Sequence, residues 1–214
     1  MPTDHLAEGE QHLKDRNVQS ALRSFQRYAA ENPQDPTGHM KVGHCFKISR
    51  QNEDAVANYG KAIALDPKNV EALLNCGDAN VLLGRLDDAV GLFEKVVALT
   101  KVESPQFAAA AKAKEHDCRA KLESRQGTAC LKGNPASALK HFETAIAFSP
   151  GAARYYTNAG IACLELGRAL DGLGYFKKAV ELEPDGEDAQ DAKGRLAACA
   201  DGISKARSAL PGNE

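Results

Sequence analysis

The chain has no excess of positive charge, its formal net charge being −2 over 214 residues. Holding a phosphate backbone depends on neutralising phosphates with Lys and Arg, so nucleic acid is not an expected partner. Long apolar runs are missing as well. None approaches the ~18–20 residues of a membrane-spanning helix, so no membrane insertion is expected. The opening stretch, MPTDHLAEGEQHLKDRN, lacks the basic run and apolar segment of a secretory signal. These absences predict a soluble, cytoplasmic protein. Six cysteines stand far apart, at Cys45, Cys76, Cys118, Cys130, Cys163 and Cys199, with no C-x-x-C pair. A disulfide framework belongs to small exported domains, so they read as free thiols packed like small apolar residues.

Catalytic signatures are also missing. No H-E-x-x-H, G-x-S-x-G or phosphate-binding loop occurs. His116 and Cys118 lie two apart and point to different sides of a helix, and His39 and His44, five apart, fail similarly. No catalytic residue, metal or cofactor is expected.

What the chain does have is a period of 34. Aromatic residues recur at Phe25, Tyr59 and Phe93, then at Phe142 and Phe176. Four residues before each stands a small one: Ala21, Ala55, Ala89, Ala138 and Gly172. Glycines keep the rhythm at Gly9, Gly43 and Gly77, then at Gly127 and Gly160, and prolines close units at Pro33, Pro67, Pro150 and Pro184. In residues 36–69, Met40, Val42, Gly43, Phe46 and Ile48 follow a helical spacing that Arg50, Gln51 and Asn52 interrupt. Asn52 reads as an N-cap, with Glu53 and Asp54 in the first turn of a second helix. Ala55, Tyr59 and Ala62 line one face of that helix, and Pro67 follows it. Each unit is therefore an antiparallel helix pair. Gly43 and Ala55 are small to let the two helices approach, and Tyr59 fills the seam to the next unit.

This pattern resembles the tetratricopeptide repeat, over residues 2–35, 36–69, 70–103, roughly 119–152 and 153–186. The resemblance implies an all-α, right-handed α-solenoid of about five stacked helix pairs. Departures are Lys101 in place of the third closing proline, and Glu8 in place of a large apolar residue before Gly9. Asn80 stands where other units carry Phe46, Cys130 and Cys163.

The spacing from Phe93 to Phe142 is 49, an excess of fifteen residues that falls within ESPQFAAAAKAKEHDCRAKLE. Ser104 and Pro105 read as an N-cap and first helical residue, and strong helix formers follow. Fifteen residues are about four turns, or roughly 22 Å, which returns a helix nearly to its phase. The expected organisation is three units in 1–103, a helical insertion at 104–120 extending the first helix of unit four into one long helix of about 105–132 (the alternative being a separate short helix and turn), two units in 121–186, and a capping helix with a short tail in 187–214. In that cap Ala189, Ala192, Leu196, Cys199, Ile203, Ala206 and Leu210 form the apolar stripe that a solenoid end must cover.

By resemblance, the first helix of each unit lines a concave face that holds a protein or peptide partner. The partner-facing residues are expected to be Met40, His44, Lys47, Leu74, Asn75, Asp78, Thr128, Arg154, Asn158 and Ile161, with Leu6, Glu10, Leu13, Val81, Ser124 and Leu131 beside them. Asn75 and Asn158 match the asparagine that in this family often holds a peptide backbone. The chaperone-tail clamp pattern is absent, because Leu6, Glu10 and Lys41 stand at its positions. The expected function is a non-catalytic scaffold or adaptor. The alternatives are a self-assembling homo-oligomeric scaffold and a chaperone for secreted or membrane clients.

Overall fold

A computed structural model describes residues 4–208, and every regular element among them is an α-helix. In chain order these are α1 (His5–Lys14), α2 (Val18–Glu31), α3 (Pro36–Ile48), α4 (Asn52–Leu65), α5 (Val70–Leu82), α6 (Leu86–Thr100), α7 (Pro105–Cys130), α8 (Pro135–Phe148), α9 (Ala153–Glu165), α10 (Ala169–Leu182) and α11 (Glu187–Ser208). The fold is thus an all-α array of antiparallel helix pairs. It packs as two compact units that divide between Cys118 and Arg119.

Local chemistry sets the helix starts. The Asp4 carboxylate accepts the N–H groups of Leu6 and Ala7 at the start of α1. Asn17, Asp35, Asn69 and Asn134 cap α2, α3, α5 and α8 in the same way, and Pro36 and Pro135 occupy first-turn positions where no N–H is needed. The turn inside four helix pairs places one residue in the left-handed region: Arg16, Arg50, Gly84 and Gly167. Beside Arg50, the Gln51 N–H donates to the Phe46 carbonyl and closes the end of α3. This closure starts α4 one residue earlier than the sequence suggests. Asn52 is therefore inside the helix and not its cap, and its side-chain oxygen is buried without a hydrogen-bond partner.

The aromatic series forms the seams. In the first unit Phe25 packs with Ala21, Val42 and Cys45, and Tyr59 packs with Ala55, Ala62, Cys76 and Ala79. Phe25, Tyr59 and Phe93 are fully buried. Burying each such ring contributes about 1.5–3 kcal/mol. A Cβ on Gly77 would lie 2.5 Å from a Phe93 ring carbon, so only glycine lets α5 and α6 approach this closely. Gly9, Gly43, Gly127 and Gly160 stand against Phe25, Tyr59, Phe142 and Phe176 in the same manner.

Two polar residues enter these seams. Asn80 is buried, and its amide donates to the Cys76 carbonyl one turn back, which removes the cost of a polar group in an apolar position. Tyr59 has no such compensation, since its hydroxyl is buried with no hydrogen-bond partner, and burial holds its pKa above the ordinary tyrosine value. Tyr59→Phe is expected to stabilise the protein by about 1 kcal/mol, because an unpaired buried hydroxyl is a net cost. Urea denaturation measures this, and a loss of stability would show that the hydroxyl has a partner.

The fifteen extra residues form part of α7, which runs without a break from Pro105 to Cys130. Its first half packs Ala111 against Leu73 and Val96. Its second half contributes Ala120 to a cluster with Ala145 and Tyr155. In that unit Phe142 packs with Ala138, Leu139, Ala159, Ala162 and Cys163. At the C-terminal end, Ala192 of α11 is buried against Phe176 and Ala179, with Leu196 and Cys199 beside it. The side chains of Ala189, Ile203 and Ala206, and residue Leu210, lie outside the described residues.

Candidate partner-binding face

In the first unit the face is built from α1, α3, α5 and the start of α7. Along α3, His44 follows Met40 by one turn, and Lys47 follows by two, so all three share one side. Leu74, Asn75, Asp78 and Val81 take matching places on α5. Burial separates them. Met40 is only 9 % exposed and belongs to the core around Tyr59. Leu74 is half-buried and packs on the Leu73–Val96 cluster. Leu6 and Leu13 of α1 are likewise half-buried, against Phe25.

The polar members bond to one another between helices. The Lys47 ammonium donates to the Asn75 side-chain oxygen at 2.9 Å and lies 3.7 Å from the Asp78 carboxylate. Lys114 of α7 pairs with the other oxygen of Asp78. On the neighbouring helices Lys41 donates to Glu10 at 2.9 Å, and that bond holds the Glu10 carboxyl below its ordinary pKa. Such exposed pairs are worth about 0–1 kcal/mol each, so a partner could replace them at little cost.

His44 sits between Lys41 and Lys47, and burial, then those two charges, lower its pKa below the ordinary histidine value. Folding therefore disfavours its protonated form. This contribution to stability is fully present above the ordinary histidine pKa of ~6.5 and is lost as pH falls through the lower folded value. In an NMR titration the His44 imidazole is expected to titrate below pH ~6.5. A midpoint above that would mean an unrecognised carboxylate faces the ring.

Sequence reasoning missed two residues here. Ile48 and Leu82 are 49 % and 65 % exposed, large apolar side chains one turn beyond His44 and Asp78. They stand 34 residues apart, at the same place in successive repeats, which was the available signal.

In the second unit, the Asn158 amide donates to the Ser124 hydroxyl at 3.4 Å, and the exposed Thr128 hydroxyl donates to the Ser124 carbonyl. The Arg154 guanidinium lies 4.8 Å from the centre of the Tyr155 ring and donates to its hydroxyl. Ile161 is half-buried against the Phe176 cluster, and Leu131 against that of Phe142. Among the described residues no group of three or more His, Cys, Asp and Glu is placed to hold a metal ion. No described helix is long and apolar enough to cross a membrane. The buried thiols Cys45, Cys76 and Cys163 have raised pKa values, with burial as the main cause, which keeps them protonated and unreactive at neutral pH.

Helix pairs of this length, with small residues at the close approach and an aromatic in each seam, define a helical repeat protein. Its repeats are tetratricopeptide repeats: a TPR repeat model matches residues 48–84, and a tetratricopeptide repeat model matches residues 132–198. Among curated proteins no sequence match is found. Solved structures share the fold. MamA is 22 % identical with a TM-score of 0.53, covering 84 % of this chain and 90 % of that one. YrrB, described as a TPR protein with an unusual peptide-binding site, is 18 % identical with a TM-score of 0.57, covering 88 % and 90 %. A MamA fragment from Desulfovibrio magneticus RS-1 is 19 % identical with a TM-score of 0.51, covering 86 % and 95 %.

Proposed function

We propose that this chain is a non-catalytic protein-interaction scaffold that holds a peptide or helix of a partner along the first helices of its repeats. One observation carries the reading: α3 and α5 expose Ile48 and Leu82 at equivalent repeat positions, beside the polar side chains His44, Lys47, Asn75 and Asp78. Large apolar side chains left exposed in register, within a rim of polar groups, are a feature of interaction surfaces. The peptide-binding site of YrrB, which has the same fold, supports it. In the second unit Thr128, Arg154, Asn158 and Ile161 serve the same role.

Ile48→Glu combined with Leu82→Glu tests this. Both side chains are exposed, so the circular dichroism spectrum is expected to stay unchanged. Recovery of the partner from native lysate is expected to fall by about tenfold or more, the loss of roughly 1.4 kcal/mol or more of binding. Undiminished recovery by the folded double variant would remove the first-helix face from the interaction.

A further inference from the structure

Three lysines on the first-helix face of the first unit already have partners. Lys41 is bonded to Glu10, and Lys47 and Lys114 both to Asp78, with Asn75 accepting from Lys47. His44 is held toward its neutral form by burial and by the lysines on either side. Two large apolar side chains are left in solvent, Ile48 and Leu82, one turn beyond His44 and Asp78 on the same helices. Side chains of α5, α6 and α7 line a hollow of about 360 Å³. Its lining combines the buried Phe93 and Cys118, the half-buried Val81 and the exposed Ala113 with the charged Asp78, Lys114 and Asp117. Its charged lining is Asp78, Asp117 and Lys114, and Lys47 pairs with Asp78 from outside the hollow, so the charges in and next to it sum to zero. Ala113, Lys114 and Asp117 come from the segment that breaks the repeat period, so the regular repeat alone does not build this hollow.

We infer that the segment bound at this face is apolar and uncharged, and that it seats one large apolar side chain in the hollow lined by α5, α6 and α7. The inference rests on the scaffold reading and adds the chemistry of its partner. A charged segment gains little here, because the lysines it would meet are already paired, and either sign would bring a like charge close to Lys114 or to Asp78 and Asp117. An apolar one removes Ile48, Leu82, Val81 and Ala113 from water without disturbing the ion pairs. Binding of that kind is driven by apolar burial and is insensitive to salt.

The test uses the full chain and three fluorescein-labelled synthetic peptides of equal length, built from Leu with Ser, Leu with Glu, or Leu with Lys. Fluorescence anisotropy is expected to show the Leu–Ser peptide binding about tenfold more tightly than either charged one. Its affinity is expected to hold between low and high salt. Ala113→Phe, at an exposed position, fills the hollow and is expected to weaken that binding by about tenfold with an unchanged helical spectrum. Equal or tighter binding of a charged peptide, a marked loss with salt, indifference to Ala113→Phe, or no binding of any peptide would each overturn the inference. The scaffold reading is judged separately. If Ile48→Glu with Leu82→Glu abolishes capture of the native partner while a charged peptide binds best, the face stands and only its proposed chemistry falls.

Discussion

Phe142→Ala is expected to destabilise the protein by about 3–5 kcal/mol, the usual cost of emptying an aromatic site in a close-packed core. Phe142 is 1 % exposed and lies between Gly127 of α7 and the small residues Ala138, Ala159, Ala162 and Cys163. Leu139 belongs to the same cluster, but the alanines that make up most of its buried neighbours cannot close the void by repacking, so a cavity term is expected on top of the lost burial. Because repeat stability is largely nearest-neighbour, the loss should concentrate around this seam. Urea denaturation gives the total, and amide hydrogen exchange gives the location, with protection expected to fall first in α8 and α9. A loss below about 1 kcal/mol would mean that the seam relaxes and that the aromatic series is not what joins successive helix pairs.

The second large effect is a change of sign between two substitutions of the same kind. In a free helix Gly→Ala stabilises by about 1 kcal/mol. Gly174, in the interior of α10, has open space where its Cβ would go, so Gly174→Ala is expected to show that gain. Gly160, in α9, would place a Cβ 2.6 Å from a carbon of the fully buried Phe176 ring. Gly160→Ala must push the ring or the two helices apart, an overpacking cost of about 1–3 kcal/mol that outweighs the helix propensity. The pair should therefore move the thermal midpoint in opposite directions. If both variants are stabilised, the period-34 glycines are tolerated and not required.

Much of the fold was legible because the repeat states it several times over. Helix pairs, close glycines and seam aromatics are set by local periodicity, and each unit repeats the others. Spacing alone marked Gly43 as a point of close helix approach, but that Gly43 and Gly160 meet the rings of Tyr59 and Phe176 came from the structure. The cap of α4 was misread because an Asn before two acids is a sound N-cap signal on its own. The left-handed Arg50 and the Gln51–Phe46 bond, which set the true start, depend on how α3 ends.

The candidate face was less legible, for a different reason. Periodicity tells which side of α3 carries Met40, His44 and Lys47, but not how far a neighbouring helix covers each of them. Met40 turned out to be core, while Ile48 and Leu82 remained in solvent. Lys114 reaches Asp78 across 36 residues of sequence only because α7 packs beside α5. The sequence by itself determined the repeat type, the helix pairs and the residues that join them, since these rest on repeated short-range patterns. Only the tertiary structure decided which apolar side chains stay exposed, which charges are already matched and where a hollow opens. Those outcomes depend on which helices become neighbours, which no single helix encodes.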